Sequence, residues 1–444
     1  MQHIIGAVEK HRALILEAER FIWAHPETGY RERVTSDYMA EAFEKLGYTI
    51  TRATDIPGFY TVLDTGREGP EVLVLGELDS IICPTHPNAD PQTGAVHACG
   101  HNAQCAALLG VAAALKEPQI LDNLSGRIRL CAVPAEELLE LEYRSELKRQ
   151  GKIRFFSGKT EFLWRGYFDG VDMAFMVHTA TRFSINGGSV GCITKRIVYK
   201  GRAAHAGGNP WDGHNALYAA TCGLNAANAL RETFRDSDVI RFHPIITNGG
   251  DMVNAIPATA VLESYVRGKS FEAIDEANRR INQALVGAAL SLNCNVDIID
   301  VPGYAPHRND DGMKLLARDA AARLLPNGEI PFSDKIGSGS TDMGDLSCLI
   351  PIVHPYAAGQ TGASHGSDYQ LSDPEAACVT SAKWQVTMLF MLLENGAERA
   401  RRILDDFVPR FASREEYFAY LDRLERSGDR IQYAEDGSVR VDLS

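Results

Sequence analysis

Long apolar runs, paired cysteines and an excess of positive charge are all missing from this sequence. Each absence removes a class of function. No stretch of about 18 consecutive apolar residues occurs, so no membrane-spanning helix is predicted. The cysteines number nine, an odd count scattered from Cys83 to Cys378. They lack the spacing of a disulfide framework and fit a reducing compartment. The first residues alternate charges at Glu9, Lys10, Arg12, Glu17, Glu19 and Arg20, where a secretory signal would be apolar. A cytoplasmic location is therefore expected. Basic residues total 45 against 58 acidic ones, a formal charge of -13 that repels phosphate backbones and anionic lipid surfaces. Neither nucleic acid nor membrane is an expected partner. Internal repeats and low-complexity segments are also missing.

What is present is ordinary globular composition, 45% apolar and 23% charged, in a chain of 444 residues that can hold two or more cores. Helical spacing of apolar residues predicts a helix over 4–23, closed by His25-Pro26-Glu27-Thr28-Gly29, and a second over 34–46 capped by Thr35 and Ser36. Three nearly continuous apolar runs read as strands covered on both faces, over 71–75, 127–133 and 171–177. Their C-terminal ends deliver Asp79, the pair Glu136/Glu137, and His178. In open α/β sheets that edge is where ligands bind. The run 103–115 is apolar almost all round and reads as a buried helix.

Texture changes between 189 and 299, where the order of predicted elements is β-α-β-β-α-β, a ferredoxin-like pattern inserted into the larger unit. The expected fold class is thus α/β, a mostly parallel-sheet domain carrying an inserted ferredoxin-like domain. The expected domains are residues 1–188, the insert 189–302, and residues 303–444, which complete the first domain and add a charged tail. A long helix over 374–393 and a short hairpin at Asp436-Gly437 complete the reading.

Chemistry centres on His97-Ala98-Cys99-Gly100-His101-Asn102. A thiolate and an imidazole two residues apart, with glycine between to let the backbone turn, can be aimed at one point. Together with Glu137, His178 and His365 they make a donor set suited to zinc, manganese or related ions, large enough for two metals if one donor is shared. Taken singly, His178 could equally be a core histidine and His365 a solvated loop residue. Adjacent glutamates on extended chain point in opposite directions, so one of Glu136 and Glu137 can bind metal while the other acts as general base.

The blocks His97-Ala98-Cys99-Gly100-His101, Pro134-Ala135-Glu136-Glu137, Phe175-Met176-Val177-His178, Gly201-Arg202-Ala203-Ala204-His205 and Asn254-Ala255-Ile256-Pro257 occur in order. In this the chain resembles the metal-dependent amidohydrolases and peptidases that include carboxypeptidase G, aminoacylase and the hippurate and auxin-conjugate hydrolases. Asn102 and Gly339-Ser340-Thr341-Asp342-Met343-Gly344-Asp345 point to the aminobenzoyl-glutamate hydrolase and β-alanyl-lysine dipeptidase branch. The resemblance implies hydrolysis of an amide in an N-acyl amino acid or dipeptide, with two divalent ions, manganese or zinc, and cobalt as a third choice. It implies Cys99, His101, Glu137, His178 and His365 as ligands, Glu136 as base and proton shuttle, and Asp79 as a supporting aspartate. It further implies His205 as an oxyanion-stabilising residue, Asn254 and Arg267 as substrate contacts, and a homodimer through the inserted domain. A non-catalytic metal- or peptide-binding homologue is the competing expectation. One departure stands out: an extra segment over 138–167, with Tyr143, Arg144, Phe155, Phe156 and Trp164, replaces a short glycine-rich link and is expected to lie near the metal site and narrow substrate choice.

Overall fold

The computed structural model describes residues 2–325 and 328–443. The chain divides into two compact units. The larger holds residues up to Gly188 with His307–Gly337 and Thr341–Ala412; the smaller holds Ser189–Pro306, Ser338–Ser340 and the chain from Ser413 onward.

The larger unit is built on a six-stranded sheet in the order Thr51–Arg52, Phe59–Asp64, Arg127–Val133, Glu71–Glu77, Met173–Phe175, Ile352–Val353. The last four run parallel and the first two pairings are antiparallel. Strand Glu71–Glu77 lies inside the sheet and is buried at every position, which is why its sequence shows no alternation. Helix His101–Leu115 is likewise buried along its whole length. Its capping residue Gly100 has φ +90°, and a Cβ there would sit 2.8 Å from Tyr369 Oη and 2.9 Å from Thr179 Cβ. Only glycine satisfies both demands between Cys99 and His101.

Several sequence expectations need correction. Residues 4–23 form two helices, Gln2–Lys10 and Arg12–Trp23, because His11 leaves helical geometry at φ -100°, ψ 12°. A one-residue hinge barely disturbs apolar spacing. Thr35 and Ser36 do not cap helix Arg33–Lys45; the Glu27 carboxylate accepts from the N–H groups of Val34 and Thr35 at 3.0 and 2.9 Å. The helix expected over 374–393 starts as a π-wound segment, Glu375–Thr380, before Ser381–Leu393. Glu375–Leu393 is also long and apolar enough by composition to cross a membrane, contrary to expectation, because Ser381, Lys383 and Gln385 interrupt the run without lowering its mean hydropathy far. It packs on His101–Leu115 inside the larger unit, 78% buried.

The smaller unit's sheet has the order Arg241–Phe242, Thr259–Gly268, Gly191–Lys200, Asn295–Tyr304, all antiparallel, with Ile245–Asn248 also on Thr259–Gly268. Helices Ala216–Ala229 and Phe271–Ser291 pack on each other and on the sheet. The strand expected near 239–246 is split in two at Pro244, which has no N–H to donate. Of the charged tail expected with the larger domain, the part from Ser413 belongs here instead while the part up to Ala412 stays with the larger unit, and the smaller unit runs to Pro306, past 302. Asp300 N and Arg426 O pair at 2.8 Å, Arg426 N and Asp300 O at 3.0 Å, and Arg430 N donates to Val296 O at 2.9 Å. An edge strand exposes unpaired backbone groups, and the tail satisfies them along Asn295–Tyr304.

Candidate functional site

Parallel neighbours end side by side, so the C-terminal ends of Glu71–Glu77, Arg127–Val133 and Met173–Phe175 bring Glu77, Asp79, Glu136, Glu137 and His178 to one edge of the large sheet. His178 opens a second short strand, His178–Ala180, paired in parallel with Tyr356–Ala358. Cys99 and His101 enter from the start of the buried helix. His365 arrives on a loop whose N–H donates to Ala98 O at 2.8 Å, with φ +63°.

All five expected donors converge, with Cys99 at the centre. Its Sγ lies 3.5 Å from His178 Nε2 and 3.4 Å from His365 Nε2. Those lengths match the edge of a tetrahedron whose bonds are about 2.0–2.3 Å, the range for nitrogen and thiolate on zinc. Two sets of donor atoms lie within 4.8 Å of one another, Cys99/His101/His178 and Cys99/Glu137/His365, so the thiol is common to both. A third set is His101/Glu136/Glu137.

Backbone and carboxylate partners set the rings. Asp79, fully buried, accepts from His101 Nδ1 through its carbonyl at 2.9 Å and its Oδ1 at 3.1 Å, while its Oδ2 accepts from Glu137 N at 2.8 Å. His178 Nδ1 donates to Thr179 O at 2.7 Å. Both rings thereby turn Nε2 inward as an acceptor, the arrangement a metal-bound imidazole needs. Among the described residues, buried His101 Nε2 has no hydrogen-bond partner, although Glu77 Oε2 lies 3.2 Å away. An orphaned ring nitrogen beside a thiol and carboxylates fits a divalent cation. Electrostatics agree: the Glu137 carboxylate, against burial, raises His365 to about 11. Burial and Glu137 push the Cys99 thiol up, yet His101 and His178 outweigh them and bring it to about 6, within reach of the thiolate.

A second cluster was not legible in the sequence. Lys159 is fully buried with its Nζ 2.5 Å from Glu77 Oε1 and 2.5 Å from Asp342 Oδ1, and its N–H donates to Asp342 Oδ2 at 2.8 Å. Gln104 Nε2 donates to Glu77 Oε2 at 2.8 Å. Donor oxygens of Glu77, Glu136 and Asp342 fall within 4.8 Å of one another, so Glu136 belongs to both clusters. Burial pushes Asp342 up to about 7, with Glu77 adding to it and Lys159 opposing. Glu136 is raised well above the carboxylate range by burial, then by Glu77, Glu137 and Asp342. The acid at the end of the first strand was a visible signal for Glu77; Lys159 had none.

His205 and Asn254 lie together on the smaller unit, exposed, joined by Ala206 N donating to Asn254 O at 2.9 Å. His205 Nδ1 accepts from the N–H groups of Gly207 and Gly208 at 3.1 and 2.9 Å. Arg267 lies on strand Thr259–Gly268, half-buried, its Nη1 donating to Ser340 Oγ at 3.1 Å. The segment 138–167, expected to be an addition, contains helices Leu141–Arg149 and Gly158–Trp164. Leu139 packs on the apolar cluster containing Cys99, Phe155 and Phe156 are buried, Tyr143 stacks under Arg31 at 3.5 Å, and Trp164 is exposed.

In the larger unit His307 packs against His354, which in turn meets His178; its Nε2 donates to Asn309 Oδ1 at 2.9 Å, and burial holds the ring down at about 4 against that hydrogen bond. The unfolded chain protonates His307 near 6.5 and the folded chain only near 4. Between those values the unfolded state binds more protons, so acidification lowers stability by up to about 1.4 kcal/mol per pH unit from this ring. His307→Gln is expected to flatten the urea-unfolding midpoint against pH over that window; an unchanged slope would contradict the assignment.

Residues 75–389 match peptidase family M20/M25/M40. A Mus musculus Xaa-Arg dipeptidase is 28% identical over 393 residues, covering 83% of this chain and 81% of the relative. A p-aminobenzoyl-glutamate hydrolase polypeptide of Escherichia coli (strain K12) is 29% identical over 304 residues, 66% of this chain and 59% of the relative. A solved Bacillus subtilis structure, described as a dinuclear metal binding peptidase of the M20 family, has the same fold, with a TM-score of 0.63 at 21% identity over 87% of this chain and 99% of the other. The family match runs over most of the sequence and takes in both buried clusters, so the chain belongs to peptidase family M20/M25/M40 and is a hydrolytic enzyme.

Proposed function

We propose that this enzyme hydrolyses the amide of an N-acyl amino acid or a dipeptide, with Cys99, His101, Glu137, His178 and His365 holding two divalent ions and Glu136 as general base. The observation that carries the reading is the convergence of five donors from four separate stretches around one shared thiol, with a second glutamate within 4.8 Å of His101 and Glu137. Manganese or zinc, with cobalt a third choice, would acidify a coordinated water and polarise the scissile carbonyl. Glu136 takes the proton from the attacking water onto its carboxylate as the C–O bond forms and the carbonyl electrons move to its oxygen; it then passes that proton to the amine nitrogen as the carbonyl re-forms and the C–N bond breaks. Asp79 fixes the His101 ring and the Glu137 backbone together, which keeps donor and base in register.

The smaller unit reads as a ferredoxin-like domain for dimerisation and substrate binding. We assign His205 to the oxyanion, Asn254 to the amide and Arg267 to a substrate carboxylate, which a guanidinium can hold with two parallel bonds. Its outer strand Ile245–Asn248 exposes Ile245 and Ile246, with Val253 fully exposed nearby, and these support a homodimer across that edge. Substrates of the class named for the relatives, p-aminobenzoyl-glutamate and dipeptides ending in arginine, are the ones to test first.

Stripping the purified enzyme with a chelator is expected to abolish turnover of these substrates and lower the melting temperature, and adding back manganese, zinc or cobalt to restore both. The same preparation is expected to sediment as a dimer. Undiminished turnover after elemental analysis confirms metal removal would overturn the reading.

A further inference from the structure

Residues 134–137 carry both glutamates on a strained turn. Ala135 has φ +57°, a conformation that side-chain-bearing residues rarely adopt. On either side of Glu136 the peptide groups of Ala135 and Glu137 are held by buried side chains or close neighbours. Glu32, fully buried, accepts from Ala135 N at 2.7 Å through one oxygen. Asp79 takes Glu137 N. Gly158 N donates to Ala135 O at 3.1 Å, and a Cβ on Gly158 would fall 1.6 Å from Pro134 O.

The carbonyls are held by Arg144. It is 1% exposed, with Nη2 donating to Glu137 O, and Nη1 donating to Phe156 O and, at 3.5 Å, to Ala135 O. One planar guanidinium therefore ties the carbonyl before Glu136 to the carbonyl after it, and ties both to the extra segment. A lysine offers no such fork. The space is reserved for it, since a Cβ on Gly29 would lie 2.2 Å from Arg144 Nη2 and 3.0 Å from Ala135 Cα. A buried arginine that meets carbonyls on three sides is not the surface charge its helix suggests.

We propose that Arg144, supplied by the extra segment, is a positioning residue that fixes the turn bearing Glu136 and Glu137, so that one carboxylate faces the Cys99 donors while the other spans to the Lys159 cluster. This rests on the reading of Glu136 as the base. Without the clamp the turn relaxes and the base leaves its place, and a displacement of about 1 Å can cost on the order of 10²-fold in rate.

The test compares Arg144→Met, Arg144→Lys and Gly29→Ala with Glu136→Gln, each reconstituted with manganese and assayed on a substrate turned over by the wild type. Arg144→Met is expected to lower kcat by about tenfold or more with KM changed less than about threefold. Arg144→Lys is expected to recover part of that loss. Gly29→Ala, which keeps the guanidinium but presses on it, is expected to lower kcat with bound metal and circular dichroism unchanged; it decides the matter if the Arg144 variants do not fold. Wild-type kcat in all three, or a loss that only tracks the folded fraction, overturns the proposal while an inactive Glu136→Gln leaves the base assignment standing. An active Glu136→Gln removes the base assignment itself.

Discussion

Glutamine at position 136 is expected to leave the enzyme folded and metal-loaded but to cut kcat by about 10²- to 10⁴-fold, the usual contribution of a general base. The substitution keeps size and shape and removes only the ability to take up a proton. The change suits the surroundings electrostatically, because burial and three neighbouring acids already disfavour a charge on Glu136. Stability should therefore hold or rise slightly. Glu137→Gln should differ, since that carboxylate is drawn down to about 2, its burial outweighed by His365, and its loss should reduce bound metal as well as rate. Elemental analysis alongside steady-state kinetics separates the two. Full metal content with near wild-type kcat in Glu136→Gln would sink the proposed chemistry.

The largest effect on stability is expected at Lys159. Its ammonium is the cation that Glu77 and Asp342 share at 2.5 Å each, fully out of water. Acid neighbours Asp342, Glu77 and Glu136 raise its pKa against the opposing pull of burial, so it stays charged at any working pH. Methionine there would strand carboxylates inside the protein. Removing one partner of a buried pair costs about 3–5 kcal/mol, which in a unit of this size is roughly a 10 °C drop in melting temperature. Adding Asp342→Asn to Lys159→Met should regain part of the loss, because it removes one stranded charge. A melting temperature for Lys159→Met within about 2 °C of wild type would show that the cluster is balanced in some other way.

These two residues also mark the line between what the sequence shows and what it hides. Glu136 follows an apolar run and a proline, and a strand ending in acids at a parallel-sheet edge has a local pattern that can be read directly. The same holds for Asp79, His178 and the Cys99-Gly100-His101 turn, where glycine and spacing speak for themselves. Lys159 meets Glu77 and Asp342 from 82 and 183 residues away. No window of sequence contains that contact. Arg144 is expected near the metal site as part of the 138–167 segment, but Glu142, Glu146, Lys148 and Arg149 around it give no sign that its guanidinium, rather than theirs, turns inward onto backbone carbonyls. Helix joints fared as they do when a single residue breaks the pattern. The break at His11 leaves apolar residues buried on both helices, Ile4, Ala7 and Val8 before it and Ile15, Ala18 and Ile22 after it, whereas Pro244 could have been read as a strand break from its chemistry alone.

Completion of the smaller unit depends on chain made long after the rest of it. Among the described residues, outer backbone groups of strand Asn295–Tyr304 pair with Arg426 and Arg430, and Ile431 N donates to the Asn295 side chain, all more than a hundred positions further along. During synthesis that edge must wait, bare and able to pair with neighbouring nascent chains, until the ribosome has released residue 431.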